Sequence, residues 1–308
     1  VTINSTGASY AYSLNFTGSS SNDSIVGCVL NVPNSTNYYH QNIYASVGSS
    51  NENIVIMNNE INNGYFGIYW NGSSSVGTRN INVSGNTFNN FYYYGTYFYY
   101  VNGWKFNNNV LNARSTAGYG MTMYNYLTPS VPEPSECNGN KIYGINPSYG
   151  AAMYIYYPHG YLSSTLATKS KMTNNVITVV GSNYSYAGIY IFYPSNADFL
   201  NNSVSHTNTN TSGYAAYIYA SYSPYNNNSV RNNAFINTGG GPALYYYAPS
   251  GTGNTSDYNN LYASGSTLAQ INGTNYANYP ALRAGVASLG YDQNSISYNA
   301  GFTNANTD

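Results

Sequence analysis

An asparagine, alone or in a pair, returns eight times along this chain in nearly the same local setting. The settings are "VIMNNEI" at Asn58 and Asn59, "VSGNTF" at Asn86, "FNNNVL" at Asn108 and Asn109, and "CNGNKI" at Asn140. They continue with "MTNNVI" at Asn174 and Asn175, "FLNNSV" at Asn201 and Asn202, "VRNNAF" at Asn232 and Asn233, and "DYNNLY" at Asn259 and Asn260. Asn59 to Asn86, Asn175 to Asn202 and Asn233 to Asn260 are each 27 positions, and the other steps run from 23 to 35. A repeat of this length marks an architecture in which no unit buries its apolar face alone, so neighbouring units must stack.

A second marker follows each asparagine, a glycine leading into an alternating aromatic run. Examples are "GYFGIYW", "YGTYFYY", "GAAMYIYY", "AGIYIFY", "GYAAYIYA" and "GPALYYYA". Large residues at every second position, bounded by Gly, Pro, Asn and Ser, are the pattern of short strands rather than of helix. Units of two or three short strands fit a β-solenoid, in which each strand pairs in parallel with its equivalent about 4.8 Å away. The asparagines then have two physical uses. A tight turn needs a residue near the left-handed region, which Asn tolerates better than other non-glycine residues. Stacked on successive coils, Asn side chains can also hydrogen-bond to one another as a ladder. Asn59, Asn86, Asn109, Asn140, Asn175, Asn202, Asn233 and Asn260 are the turn and ladder residues this reading selects.

The "I-x-I-x-N-N-x-I" rung of Ile54 to Ile61 resembles those of the right-handed parallel β-helix proteins of the pectin lyase-like superfamily, especially secreted β-helix repeat proteins. The stretches "SDYNNLYASGS", Ser256 to Ser266, and "YPALRAGVASLGYDQNSISYNAGFTN", Tyr279 to Asn304, are similar to the closing segment of such domains. The expected fold is therefore an all-β right-handed parallel β-helix forming a single domain over residues 1–308. Residues 1–278 form the coils, roughly ten of them and about 50 Å long at 4.8 Å per rung. Residues 279–308 form a closing segment, with one short helix from Tyr279 to Leu289 that starts at Pro280 and stops at Gly290. "LTPSVPEPSECNG", Leu127 to Gly139, reads as an excursion between coils because of its three prolines.

The resemblance implies little about activity, since one such scaffold serves lyases, hydrolases, epimerases, adhesins and spacers. Lyases of this fold place a calcium-binding acidic cluster beside a basic residue, and its hydrolases bring two or three aspartates together on adjacent rungs. Here Asp23, Asp198, Asp257, Asp292 and Asp308 are scattered, and Glu52 and Glu60 read as solvated. Lys169 and Lys171 alternate on one strand face and read as a solvated edge. His40, His159 and His206 have no carboxylate or cysteine close in sequence and read as loop residues. No catalytic residue, metal site or cofactor is expected. Cys28 and Cys137 lie far apart without a CxxC partner, and either a disulfide or two free thiols fits them.

Charge narrows the partners. Charged residues are 6% of the chain, where an ordinary soluble domain has about a quarter. With a net charge of −1, the chain lacks the clustered Lys and Arg that nucleic acid or an anionic membrane requires. No apolar run approaches the roughly 20 residues of a membrane span. Something other than charge must keep it hydrated, and sugars are the candidate. N-x-S/T triplets stand at Asn4, Asn15, Asn22, Asn34, Asn71, Asn82, Asn183, Asn201, Asn210, Asn227, Asn254 and Asn272.

There remain 40 tyrosines. In "NNFYYYGTYFYYVNG", Asn89 to Gly103, strand alternation sends Tyr92, Tyr94, Tyr97 and Tyr99 to both faces, so several must lie on the outer surface. Outward rings suit the protein's own glycans, a foreign polysaccharide, or a second copy of the chain. The expectation is an extracellular or cell-surface structural protein, a glycosylated subunit of a fibre or matrix. It would join copies end to end or by strand exchange. A carbohydrate-binding adhesin and a polysaccharide-degrading enzyme are the alternatives.

Overall fold

The computed structural model describes residues 1–75, 77–114, 117–126, 133–146, 150–159, 168–182, 186–221, 226–249 and 252–302. One coil shows how the sequence makes the shape. Glu52–Met57 is a strand, Asn58 turns the chain at a φ of 54°, and Glu60–Asn62 is a second strand. Asn63 turns it again at a φ of 64°, Phe66–Gly72 forms a third strand, and Thr78–Ser84 begins the next coil alongside Glu52–Met57. Repetition yields an all-β parallel solenoid of about nine turns, with 52% of residues in strands. The ten strands of the first sheet are ten rungs joined by nine steps, close to the roughly ten coils expected.

Three sheets result, of ten, eleven and ten strands, which we call the first, second and third. The first runs through Glu60–Asn62, the second through Phe66–Gly72 and the third through Glu52–Met57. Each sheet sends a column of apolar side chains inward. In the first sheet Leu30, Ile61, Phe88, Leu111, Ile142, Ile177, Val204, Phe235 and Leu261 stand in register. In the third, Ile56, Val83, Phe106, Cys137, Met172, Phe199 and Val230 do the same. These side chains are essentially buried, and their contiguous stack is the core. Cys137 is thus a core residue. It and Cys28 are both free thiols.

The corner between the third and first sheets holds a ladder of buried amides. Asn59, Asn86, Asn109, Asn140, Asn175, Asn202, Asn233 and Asn259 each lie at or below 3% exposure. The Nδ2 of Asn140 donates to Asn175 Oδ1 at 2.9 Å and to Phe106 O, one rung back, at 2.7 Å. Its backbone N–H donates to the same Asn175 Oδ1 at 3.0 Å. The pattern repeats at the other members, from Asn59 through Asn233. The ladder satisfies amides that would otherwise be buried without partners. The residue just before each member takes the left-handed turn: Asn58, Gly85, Asn108, Gly139, Asn174, Asn201, Asn232 and Tyr258. Turn and ladder are thus two adjacent positions. In the last coil Tyr258 makes the turn, so Asn259 joins the ladder; Asn260, expected there, instead begins a strand opposite Ala234.

At the C-terminal end the helix covers Tyr279–Gly285 and a 3-10 turn follows at Ala287–Leu289. Asn278 caps the start by accepting from Ala281 N, and Gly290 closes the turn at a φ of 67°. Leu282 and Val286 are buried. The last parallel strand of the second sheet, Ala269–Ile271, is followed by the sheet's final strand, Thr274–Tyr276, which folds back on it as an antiparallel hairpin. Asn259 N donates to Ser295 Oγ and Asn259 Nδ2 to Asp292 Oδ1, so the closing segment also ends the ladder. Residues 127–132 of the proline-containing excursion lie outside the described residues, while Glu136–Asn138 is an ordinary rung strand. The excursion therefore ends before Glu136.

Candidate functional site

The three outer faces differ sharply. The first sheet carries a second asparagine ladder, with Nδ2 to Oδ1 bonds of 2.8–3.1 Å joining Asn4, Asn31, Asn62, Asn89 and Asn112. The third carries charges, and their arrangement is ordered. Lys105, Glu136, Lys171 and Asp198 face one another on successive rungs, alternating in sign. Glu52 opposes Arg79, and Arg231 opposes Asp257. Lys169 also reaches Asp198, at 2.8 Å. Lys169 therefore has a carboxylate partner, while Lys171 is exposed to solvent as expected. The alignment was legible in the sequence, because Lys105, Glu136, Lys171 and Asp198 each stand four positions before a ladder asparagine. Glu60 lies exposed on the first sheet.

None of the strands of the second sheet contains Asp, Glu, Lys or Arg. Its outer face is aromatic. One column holds Tyr44, Tyr69, Tyr97, Thr122, Tyr154, Tyr190, Tyr217 and Tyr245 on successive rungs. A second holds Tyr99, Tyr124, Tyr156, Phe192, Tyr219 and Tyr247. The rings stack along the solenoid: Tyr217 on Tyr245 at 4.2 Å between centroids, Tyr156 on Phe192 at 4.6 Å, and Tyr69 on Tyr97 at 5.3 Å. A strand rung of about 4.8 Å lies within the separations preferred by aromatic pairs, so the coil itself sets the stack. Thr122 replaces a ring in the first column yet is fully buried, because Tyr97, Tyr124 and Tyr154 close over it. The aromatic surface stays continuous.

The inward positions of the same strands are filled by other residues. Ile68, Thr96, Met121, Met153, Ile189, Ala216 and Leu244 form one inner column, and Trp70, Phe98, Met123, Ile155, Ile191, Ile218 and Tyr246 the other. Tyr246 is therefore an exception, a fully buried tyrosine in the core. In "YYYGTYFYY" it is Phe98 that points inward, while Tyr94, Tyr97 and Tyr99 stand half-buried on the outside. The phenols also remain protonated well above neutral pH. Burial, reinforced by the neighbouring phenols, pushes Tyr97 up to about 12 and raises Tyr119, Tyr154 and Tyr217 as well. The face is uncharged at physiological pH and studded with hydroxyls.

The sequence-derived glycan positions divide by exposure. Asn4, Asn15, Asn22, Asn34, Asn201 and Asn227 are exposed, and Asn71, Asn82, Asn210 and Asn272 are half-buried. Asn183 lies outside the described residues. Asn254 differs from the rest: it is buried, its Oδ1 accepts from Asn228 N at 2.9 Å, and its Nδ2 atom is buried as well. It belongs to a short corner ladder with Asn228, which the triplet pattern could not distinguish from a surface loop.

Reading the histidines as loop residues holds for His159, which lies in a turn, and needs correction for His40, which opens the strand His40–Ser49, and for His206. His206 lies in the strand Ser203–His206 and is fully buried, and His40 and His159 are buried too. Desolvation lowers both His159 and His206 to about 4, so both rings are neutral at physiological pH. His159 Nε2 lies 2.9 Å from Asn196 O. Among the described residues no three of His, Cys, Asp or Glu come together as a metal-holding group. None of the described helices is long and apolar enough to cross a membrane. No protein-family model matches this chain, and no match to a curated protein or to a solved structure was found.

Proposed function

We propose that this chain is a structural protein of the cell surface or extracellular matrix, and that copies associate laterally through the tyrosine face of the second sheet. One observation carries the reading: an uncharged, continuous aromatic wall runs along one side of the solenoid, while the charges of the third sheet are aligned with opposite signs on successive rungs. A large contiguous aromatic surface is unusual on a free monomer, and tyrosine is enriched where proteins meet. Two such walls face each other without electrostatic penalty, since neither carries a charge. The covered C-terminal end makes a side-to-side contact simpler than joining there end to end. The exposed N-x-S/T sites Asn4, Asn22, Asn34, Asn201 and Asn227 lie off this face and Asn15 stands at its first rung; they support glycosylation and export, with the glycan supplying hydration. Kinship with the pectin lyase-like superfamily is part of this proposal, and it rests on the rung pattern and the parallel coil.

Sedimentation velocity and negative-stain imaging test it. Wild-type protein should form assemblies that grow with concentration. The double variant Tyr190→Lys with Tyr217→Lys should remain monomeric with an unchanged circular dichroism spectrum. Wild-type protein carrying its native glycans that stays monomeric at high concentration refutes the assembly reading.

A further inference from the structure

We propose that a notch at the corner between the first and second sheets, on the three coils nearest the C-terminal end, binds a neutral saccharide. The notch arises from turn chemistry. Three successive turns enter the second sheet here, and the middle one is "TGGGP", Thr238 to Pro242. Its glycines carry no side chain, and they have to be glycine. A Cβ on Gly239 would fall on Asn208 O, and one on Gly241 on Gly213 O. Gly240 takes a φ of 100°, where a side chain is strained. The turn therefore lies backbone against backbone on its neighbour, and leaves a gap one rung wide.

The two flanking turns border that gap with hydroxyls. Thr211 and Ser212 line it from one coil, and Ser266 and Thr267 from the coil two rungs on, about 10 Å away at 4.8 Å per rung. Tyr214 and Gln270 close the side towards the second sheet, where Tyr214 Oη lies 3.4 Å from Gln270 Oε1. The notch is open to solvent on one side and has a volume of about 290 Å³.

The lining specifies the ligand class. No charged residue lines the notch, so an ionic ligand would lose hydration without a partner to replace it. Hydroxyls and amides donate and accept side by side, which suits a ligand rich in neutral hydroxyls. Tyr214 adds a ring, continuous with the aromatic face through Tyr217 at 5.4 Å and Tyr245 at 5.7 Å. A ring beside hydroxyl and amide groups offers a sugar both an apolar surface and hydrogen bonds. The saccharide has two sources, a free oligosaccharide or the protein's own glycan. Asn210, an N-x-S/T site, immediately precedes Thr211. The proposal does not depend on lateral assembly, because the notch is complete within one chain.

The test uses full-length protein made without N-glycosylation, titrated by isothermal calorimetry and NMR. The probes are neutral gluco-, manno- and xylo-oligosaccharides, with oligogalacturonate as the acidic control. Saturable binding of a neutral probe is expected. It should weaken about tenfold in Gln270→Ala, the scale of one hydrogen bond, and vanish in Ser266→Trp, which fills the gap from an exposed position. Tyr44→Ala, far along the face, should leave it unchanged. Glycosylated native protein then separates the sources: direct binding assigns the notch to a free saccharide, and binding that appears only after deglycosylation assigns it to the Asn210 glycan. Failure of every neutral probe with correctly folded protein overturns the proposal. So does binding that survives Ser266→Trp, or a preference for oligogalacturonate.

Discussion

Replacing Asn175 by alanine isolates what the inner ladder contributes. In the native coil Asn175 Oδ1 accepts from Asn140 N at 3.0 Å and from Asn140 Nδ2 at 2.9 Å. Asn175 Nδ2 donates to Cys137 O at 3.0 Å and to Asn202 Oδ1 at 2.9 Å. Alanine removes these four bonds and a weak fifth, from Cys137 Sγ to Asn175 Oδ1 at 3.9 Å. Asn202 Oδ1 still accepts from the residue 175 backbone N–H, and Asn140 Nδ2 keeps its bond to Phe106 O. The Asn140 backbone N–H and the Cys137 carbonyl lose these side-chain partners at a site with no access to water. Each unsatisfied buried group costs about 1–3 kcal/mol, so Asn175→Ala should destabilise by roughly 2–6 kcal/mol. The outer ladder provides the control. Asn89 sits in the same kind of amide chain, bonded to Asn62 at 3.1 Å and Asn112 at 3.0 Å, but on the solvent side. Water can replace those bonds, so Asn89→Ala should cost no more than about 1 kcal/mol. Urea denaturation of both variants measures the difference. Equal losses would refute the argument, because burial and not the amide bond itself is its basis.

Three further outcomes follow from burial. Stability should fall as pH drops from about 6.5 towards 4, because His159 and His206 are held neutral in the fold at about 4 while their unfolded counterparts take up protons near 6.5. The loss should level off below that window, where both states are protonated; Asp292, raised by its own burial, acts in the opposite sense. Thermal melts across this range check it, and a flat profile would contradict the assigned burial. In native-source protein, glycopeptide mapping should find sugar among the exposed positions Asn15, Asn22 and Asn34 and none at Asn254; a fully occupied Asn254 would rule out its corner-ladder position. Native alkylation should label Cys28, which is partly exposed, and spare Cys137 until the chain unfolds. Burial also holds the Cys137 thiol far above its usual range, so rapid labelling of both cysteines would exclude the stacked core described above.

The sequence by itself determined the repeat, the strand character and the solenoid. These are local properties: a period of 23 to 35 residues, large side chains at alternate positions, and a turn residue at the end of each run all survive without knowledge of contacts. It also located the C-terminal helix, capped at Asn278, although the α-helix ends at Gly285 and a separate 3-10 turn, Ala287–Leu289, carries the chain to Gly290. Tertiary structure decided which face each residue occupies. Alternation states that neighbouring side chains oppose one another, but not which set is inside. That choice sends Phe98 inward and Tyr97 outward, and a slip of one residue would reverse it. Unequal turn lengths likewise hid the partners across coils. Asn259 rather than Asn260 joins the ladder because Tyr258 takes the left-handed turn, and Asn254 is buried because it stacks on Asn228 a coil away. The tyrosine face, the alternating charge column and the notch beside Gly240 all depend on that stacking, since each joins residues that meet only when one coil is laid on the next.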